Sequence, residues 1–382
     1  MPLRLLIVFG TRPEAIKLAP VVLAARAATG VEAVLCNTGQ HADMCHGILS
    51  LFGIVPDVDL AIMRPRQSLT EISTAVLRAM EPLLAARRPD WLVVQGDTGS
   101  AFAAALAGFY AKVPVAHVEA GLRTGDIDRP WPEEMNRRLI STAARLHFAP
   151  LESNAANLRR EGIADAAIRV TGNTGIDAMH WLLQRLQLDA ALARRAQDAL
   201  DAVGVAALGA DATVPVVLIT GHRRESFGDG FRAIARAIAE LARRFPERAF
   251  VYPVHPNPEL RDTIMQALGP AGPVNVHLIE PLDYLPFVVL MARAELILTD
   301  SGGIQEEAPS IGKRVIVMRA VTERGEGLAS GLVRLAGTDP ARIIAAAADA
   351  ITGAWPAQPP TDIYGDGRAA GRIIAALLAE PR

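Results

Sequence analysis

The chain has only two cysteines, Cys36 and Cys45, in 382 residues, which excludes a disulfide framework. They lie near His41 and His46 without a recognised zinc spacing, so they read as one buried strand thiol and one helical thiol, and no metal is expected there. Charge of one sign is also missing: 39 Lys+Arg against 41 Asp+Glu leave a net charge of -2. With neither a basic excess nor a basic stripe, no nucleic-acid partner is expected. No run reaches the ~18 uninterrupted apolar residues of a membrane span. The apolar N-terminal stretch is short and lacks a basic n-region and a cleavage-like site, so it reads as a first strand and not as a signal peptide. These absences predict a cytoplasmic protein with no membrane association. Internal repeats and low-complexity tracts are absent as well.

What is present is an ordinary globular balance, 51% hydrophobic and 21% charged. A single core stops growing at roughly 250–300 residues, so a chain this long predicts two domains. Short β-rich runs at 5–9, 31–35, 91–94 and 113–118, and again at 214–219, 249–254, 274–279, 296–298 and 315–318, are each followed by Gly, Pro, Asp or His and then a helical stretch. That alternation predicts an α/β fold of two Rossmann-like domains, each a parallel sheet with helices on both faces. The first domain is placed at 1–170 and the second at 171–361, with a last helix in 362–382 packing back on the first. Arg169-Val170-Thr171-Gly172-Asn173-Thr174-Gly175 marks the crossover, and Ala354-Trp355-Pro356-Ala357-Gln358-Pro359-Pro360 a second crossing, where the prolines cannot continue a helix. In open α/β sheets ligands collect beyond the carboxyl ends of strands, so the residues just after the strands carry the information.

The first strand ends in Gly10-Thr11-Arg12-Pro13-Glu14-Ala15-Ile16-Lys17. Pro13 suits the first turn of a helix. Arg12 and Lys17 could hold an anion near the positive helix end, or be two solvated basic residues. Asp97, in Gly96-Asp97-Thr98 at a strand end, is either an N-cap or a catalytic carboxylate. Glu119 follows a buried strand and precedes Ala120-Gly121, where a carboxylate is costly unless paired or used. Glu133 and Glu134 open a helix behind Pro130-Trp131-Pro132; the helix dipole favours both, and one of the two is read as nothing more than that. In the second half His222, after a strand and Gly221, can titrate near neutral pH or donate to a phosphate oxygen, with Arg223 and Arg224 beside it. Ser301-Gly302-Gly303 opens a helix and lets backbone N–H groups approach a diphosphate closely, a purely structural glycine turn being the alternative. Glu307, a turn further on, could accept both hydroxyls of a ribose, and Arg324 adds a cation.

Taken in order, the block 10–17, Gly96-Asp97-Thr98, and the segments 117–124, 130–134, 221–225 and 300–308 resemble the non-hydrolysing bacterial UDP-N-acetylglucosamine 2-epimerases over nearly the whole chain. The resemblance implies a glycosyltransferase-B-like fold with the active site in the interdomain cleft, and a homodimer. It also implies interconversion of UDP-GlcNAc with UDP-ManNAc for cell-envelope polysaccharide synthesis, without nicotinamide, metal or other cofactor. Carried over residue by residue, Asp97, Glu119, Glu133 and His222 fall on catalytic positions. Arg12, Lys17, Ser301, Glu307 and Arg324 fall on UDP-contacting positions, with Gly302 and Gly303 in the same turn and Phe287 near the uracil. Leu282 stands where some relatives have Gln, and Gly99-Ser100 replace a run of threonines; neither change removes a charged group. Some relatives carry a second, activating UDP-GlcNAc site. Gln40, His41 and Arg66 resemble part of it, but Asp43 stands where those relatives have Gln, so allosteric activation is left open.

The C2 hydrogen of the sugar is not acidic, because C1 bears no carbonyl. The route the resemblance implies is elimination of UDP to 2-acetamidoglucal, then re-addition with the C2 proton delivered to the other face. Arg12, His222, Arg324 and the helix end at Ser301 would stabilise charge developing on the β-phosphate. Proton transfer on both faces of C2 needs more than one acid, and Asp97, Glu119 and Glu133 are the candidates. Asp97 and Glu133 are assigned to the C2 protons, and Glu119 to the sugar or to charge at C1. Four other readings stay open: an epimerase for a modified UDP-N-acetylhexosamine, a glycosyltransferase of the same fold, a hydrolysing epimerase, and a sensor that binds UDP-GlcNAc unchanged.

Overall fold

A computed structural model describes residues 1–64, 66–205, 213–221, 229–254, 258–269 and 272–381, with the side chains of 42, 43 and 258–260 outside the description. The chain divides into two compact units, Met1–Trp181 with Tyr364–Arg382, and Leu182–Ile363.

The first unit alternates strand and helix: β1 (Leu3–Phe9), α1 (Arg12–Ala27), β2 (Val31–Asn37), α2 (Ala42–Leu51), β3 (Val58–Asp59), α3 (Leu69–Arg87), β4 (Trp91–Gln95), α4 (Gly99–Tyr110), β5 (Val115–Val118), α5 (Glu133–Ala143), β6 (Leu146–Ala149), α6 (Glu152–Arg160), β7 (Ile168–Val170) and α7 (Thr174–Leu188). Its strands form one parallel sheet in the order β3-β2-β1-β4-β5-β6-β7. Helices cover both faces of such a sheet, so its central strands are apolar on both sides. Accordingly Leu5, Leu6, Ile7, Val8 and Phe9 of β1 and Leu92, Val93 and Val94 of β4 are all buried. Small residues along α4, among them Ala101, Ala104, Ala105 and Gly108, let it lie close to the sheet; a Cβ on Gly108 would come within 2.6 Å of Leu92.

The second unit runs α8 (Ala190–Ala202), β8 (Val216–Thr220), α9 (Asp229–Arg244), β9 (Ala249–Pro253), α10 (Pro258–Leu268), β10 (Val276–Ile279), α11 (Tyr284–Arg293), β11 (Ala294–Thr299), α12 (Gly302–Glu307), β12 (Arg314–Val317), α13 (Glu326–Ala329), β13 (Val333–Leu335) and α14 (Pro340–Thr352). Its sheet is also parallel, in the order β10-β9-β8-β11-β12-β13. Val217, Ile219, Phe250, Leu296, Leu298 and Ile316 from these strands pack against Ile234, Ile238 and Leu241 of α9.

The chain passes from the first unit to the second inside α7. It returns before α15 (Ala369–Ala379), which packs on α1. The return is fixed by hydrogen bonds: Asn173 N–H to Tyr364 O (2.8 Å), Ala370 N–H to Asp177 Oδ1 (2.8 Å) and Arg372 Nη1 to Thr171 O (3.0 Å). β3, β6, β7 and β13 are strands that the apolar runs do not announce. Each has four residues or fewer, and β6 carries a buried histidine, His147.

Strand order reverses between β1 and β4 in the first sheet and between β8 and β11 in the second. At such a switch point the following loops diverge to opposite faces and leave a crevice at the strand ends. The residues singled out from sequence follow these strands and their neighbours.

Candidate active site

In the first unit the β1 end is closely packed. A Cβ on Gly10 would lie 2.3 Å from Thr38 Oγ1 and 2.5 Å from Ser100 Oγ, so only glycine fits. Thr38 and Ser100 share a hydrogen bond (3.0 Å), and Ser100 Oγ donates to Gln40 Oε1 (2.7 Å). Glu14 caps α1 from within. Its Oε2 accepts from the N–H groups of Gly10 (3.0 Å) and Thr11 (2.7 Å) and from Thr11 Oγ1 (2.8 Å), while Oε1 accepts from Thr98 Oγ1 (2.8 Å). One buried carboxylate thus ties the β1 end to the β4 end. Burial pushes that carboxyl up to about 6 against the opposing hydrogen bonds.

Glu119 stands just past β5 at φ +63, a left-handed conformation that costs a residue with a Cβ. Its side chain is gripped at both oxygens: Lys17 Nζ lies 2.5 Å from Oε1, and Gln95 Nε2 donates to Oε2. Asp97 is held from α5. Arg137 directs Nε (2.8 Å) and Nη2 (2.7 Å) at Oδ2, and Asn136 Nδ2 donates to the Asp97 carbonyl (2.8 Å). Arg137 Nη1 in turn meets Glu134 Oε2 at 3.2 Å. Glu134 is fully buried and also accepts from Thr124 N–H (3.1 Å) and Arg138 Nη2 (3.4 Å). Glu133, the first residue of α5, is half-buried, and its carboxylate makes no hydrogen bond or ion pair among the described residues. Of the two adjacent acids, Glu134 is the one turned inward and paired, and Glu133 the one left accessible.

Glu119 with Lys17 at the β5 end and Asp97 past the β4 end are thus each held in place, and Glu133 opens the helix whose Asn136 and Arg137 hold Asp97. Behind them, His117 Nε2 lies 2.7 Å from Gly96 O, and burial lowers this imidazole to about 3, so it stays neutral. Arg12 opens α1, half-buried. Of the three residues weighed as an activating site, Gln40 reaches the Ser100 hydroxyl, and His41, before α2, gives its N–H to Gly10 O (2.8 Å). Arg66 is exposed at φ +63. Cys36 on β2 and Cys45 on α2 are buried thiols pushed up to about 12, and among the described residues no three His, Cys, Asp or Glu cluster as a metal site.

In the second unit the ends of β8 and β11 are joined by Thr220 and Thr299, whose hydroxyls lie 2.6 Å apart. Ser301 is the residue before α12, and its N–H donates to Thr299 Oγ1 (3.0 Å). Gly302 is buried against Arg324: a Cβ there would sit 2.5 Å from Arg324 Cζ. Arg324 Nε donates to Glu306 Oε1 (2.5 Å), its Nη1 pairs with Glu323, and Arg319 Nη1 reaches the other Glu323 oxygen (2.9 Å). The guanidinium is thus held under the Ser301-Gly302-Gly303 turn by two acids. Glu307 ends α12 half-buried, and Phe287 lies in the first turn of α11, its N–H bonded to Asp283 O (3.1 Å). His222 lies outside the described residues, as do Arg223 and Arg224.

A family model described as UDP-N-acetylglucosamine 2-epimerase matches residues 23–378. The chain belongs to that family. It is 49% identical to the UDP-N-acetylglucosamine 2-epimerase of Salmonella typhimurium over 378 residues, 98% of each chain. To the Escherichia coli K12 protein of the same name it is 48% identical, again over 98% of each chain. A crystal structure of UDP-GlcNAc 2-epimerase from Neisseria meningitidis bound to UDP-GlcNAc superposes with a TM-score of 0.88 at 44% identity, covering 99% of this chain and 100% of that one. The two parallel α/β units are those of the glycosyltransferase-B-like architecture found in this family.

Sequence reasoning missed Glu14, Gln95, Arg137 and, in the second unit, Glu306 and Glu323. For Glu14 a signal existed: Thr11 followed three residues later by Glu is the capping-box pattern. Arg137 three residues after Glu134 was likewise readable as a helical pair, but not its reach to Asp97.

Proposed function

We propose that the chain interconverts UDP-N-acetylglucosamine and UDP-N-acetylmannosamine without hydrolysis, by elimination of UDP to 2-acetamidoglucal and re-addition. The observation that carries this reading is the set of three carboxylates at the β4, β5 and α5 ends, in a chain whose relatives carry the epimerase name over their full length. A binding module or a glycosyltransferase needs no such set.

Asp97 and Glu133 move the C2 protons. Glu119, with both oxygens taken by Lys17 and Gln95, is poorly placed to shuttle a proton and well placed to hold Lys17 and support the sugar. Arg12 and Lys17 in the first unit, and Phe287, Ser301, Gly302, Gly303, Glu307 and Arg324 in the second, contact UDP. His222 donates to the leaving phosphate. A donor aimed at charge that develops during the reaction contributes roughly 10²–10³-fold, so several such donors carry UDP departure.

We further infer a cytoplasmic homodimer. Among the described residues no helix is long and apolar enough to cross a membrane. Phe109 and Tyr110 at the end of α4 are 59% and 70% exposed, beside clefts lined by Leu77 and Ala107 on one side and Val113 and Ala143 on the other. Two adjacent aromatic rings left in water suit a self-association surface.

The test is purified protein with UDP-GlcNAc alone in heavy water, followed by proton NMR. The expected outcome is UDP-ManNAc with deuterium at C2. Free ManNAc with UDP would mean a hydrolysing enzyme, and unchanged UDP-GlcNAc would sink the proposal.

A further inference from the structure

We propose that Arg137 is a positioning residue that holds Asp97 by one carboxylate oxygen and turns the other toward the C2 hydrogen. This rests on the reading of Asp97 as a proton-transfer group.

The geometry is asymmetric. An arginine that merely pairs with a carboxylate commonly meets both oxygens, one nitrogen to each. Here Nε at 2.8 Å and Nη2 at 2.7 Å both converge on Oδ2. Oδ1 receives no hydrogen bond from the described residues. A base needs an accessible lone pair, and the guanidinium leaves one by aiming both its Nε and its Nη2 at the other oxygen.

The rest of the arrangement fixes that choice. Arg137 Nη1 is tied to Glu134, whose carboxylate is 0% exposed and is further held by Thr124 N–H and Arg138. A carboxylate buried so completely is costly unless it is put to use, and fixing the far edge of the guanidinium is a use. Asn136, the residue before, holds the main chain of Asp97 through its carbonyl. One helical turn of α5 therefore clamps both the backbone and the side chain of Asp97. It also carries Glu133, the second proposed proton carrier, so the two acids share one frame.

Stranding the buried Glu134 could unfold the chain, so the test uses Glu134→Gln/Arg137→Met, which removes both charges, alongside Arg137→Lys. Each is measured alone, and the pair is also measured on Asp97→Asn, with UDP-GlcNAc turnover and C2 deuterium uptake followed by NMR and folding checked by thermal melting. In the wild-type background kcat falls roughly 10²-fold with KM within about threefold, the size of effect expected when a general base is misaligned. Arg137→Lys loses about tenfold less, since one ammonium can still reach Oδ2. On Asp97→Asn the pair adds less than about a further twofold, because Arg137 acts only through Asp97. Losses that multiply with Asp97→Asn, or an unchanged kcat, overturn the positioning role while leaving the epimerase reading intact. A wild type that leaves UDP-GlcNAc unchanged overturns that reading and this proposal with it.

Discussion

The ammonium of Lys17 lies 2.5 Å from Oε1 of Glu119, a contact between the second turn of α1 and the residue after β5, 102 positions apart in sequence. Both side chains are mostly shielded, at 19% and 11% exposed, so neither charge is well solvated alone. Lys17→Met should lower kcat roughly 10²-fold and destabilise the first unit by about 1–3 kcal/mol, the cost of leaving a shielded acceptor unpaired. Adding Glu119→Gln should restore the melting temperature without restoring turnover. Recovery of both would show the pair to be structural.

Glu14 makes stability depend on pH in a direction opposite to most carboxylates. Its folded value is raised to about 6 from an ordinary 4.5, so the folded chain binds this proton more tightly than the unfolded chain does. The contribution is therefore present below about pH 4.5 and lost as pH rises through 6. Relative to Glu14→Gln, which does not titrate, the wild type should lose about 2 kcal/mol between pH 4 and pH 7, at ~1.36 kcal/mol per pKa unit. Chemical denaturation of both proteins across that range checks it; a pH-independent difference would refute it.

Gly302→Ala would drive a methyl group to within 2.5 Å of Arg324 Cζ, where Glu306 and Glu323 leave the guanidinium little room to withdraw. UDP affinity measured by calorimetry should weaken about tenfold or more, an effect of ~1.4 kcal/mol, while the fold is kept. Wild-type affinity in this variant would remove Arg324 and its turn from the UDP contacts.

Phe109→Glu/Tyr110→Glu places two like charges on the surface inferred to pair with a second copy. Sedimentation should move from twice the chain mass to the chain mass at micromolar concentration, with little change in melting of the monomer, since both rings are exposed. A dimer that persists would place the interface elsewhere.

The architecture was legible where physics repeats itself along the chain. Strands buried on both faces, such as β1 and β8, show as continuous apolar runs, and the turns that follow them carry Gly, Asp or Ser. β3 and β7 were not legible, because two or three residues at a sheet edge leave no pattern. The passage between units was placed at a glycine-containing loop, 169–175, whereas the units divide inside α7, where an unbroken helix gives no signal.

The candidate site shows the same division. Asp97, Glu119 and Glu133 stand out in the sequence because each lies at an element end, where polar residues are informative. Gln95 and Lys17 reach Glu119 across 24 and 102 positions and Arg137 reaches Asp97 across 40, and no local pattern encodes such a meeting. Glu133 and Glu134 look alike as letters. The helix turns the second inward and leaves the first half-exposed, and that rotation distinguishes them.

The first unit is assembled from both ends of the chain, with α15 laid on α1, while the second is one continuous stretch. During synthesis the sheet of the first unit is complete long before its last helix exists, and the whole second unit emerges in between. α1 packs on α2 and on the sheet as soon as those form, but its face toward α15 waits uncovered until that helix, with its buried Ile373, Ile374 and Leu377, arrives. A translation product that stops after Ile363 would therefore carry an intact second unit and a first unit with an open seam, the form most exposed to proteases and to aggregation.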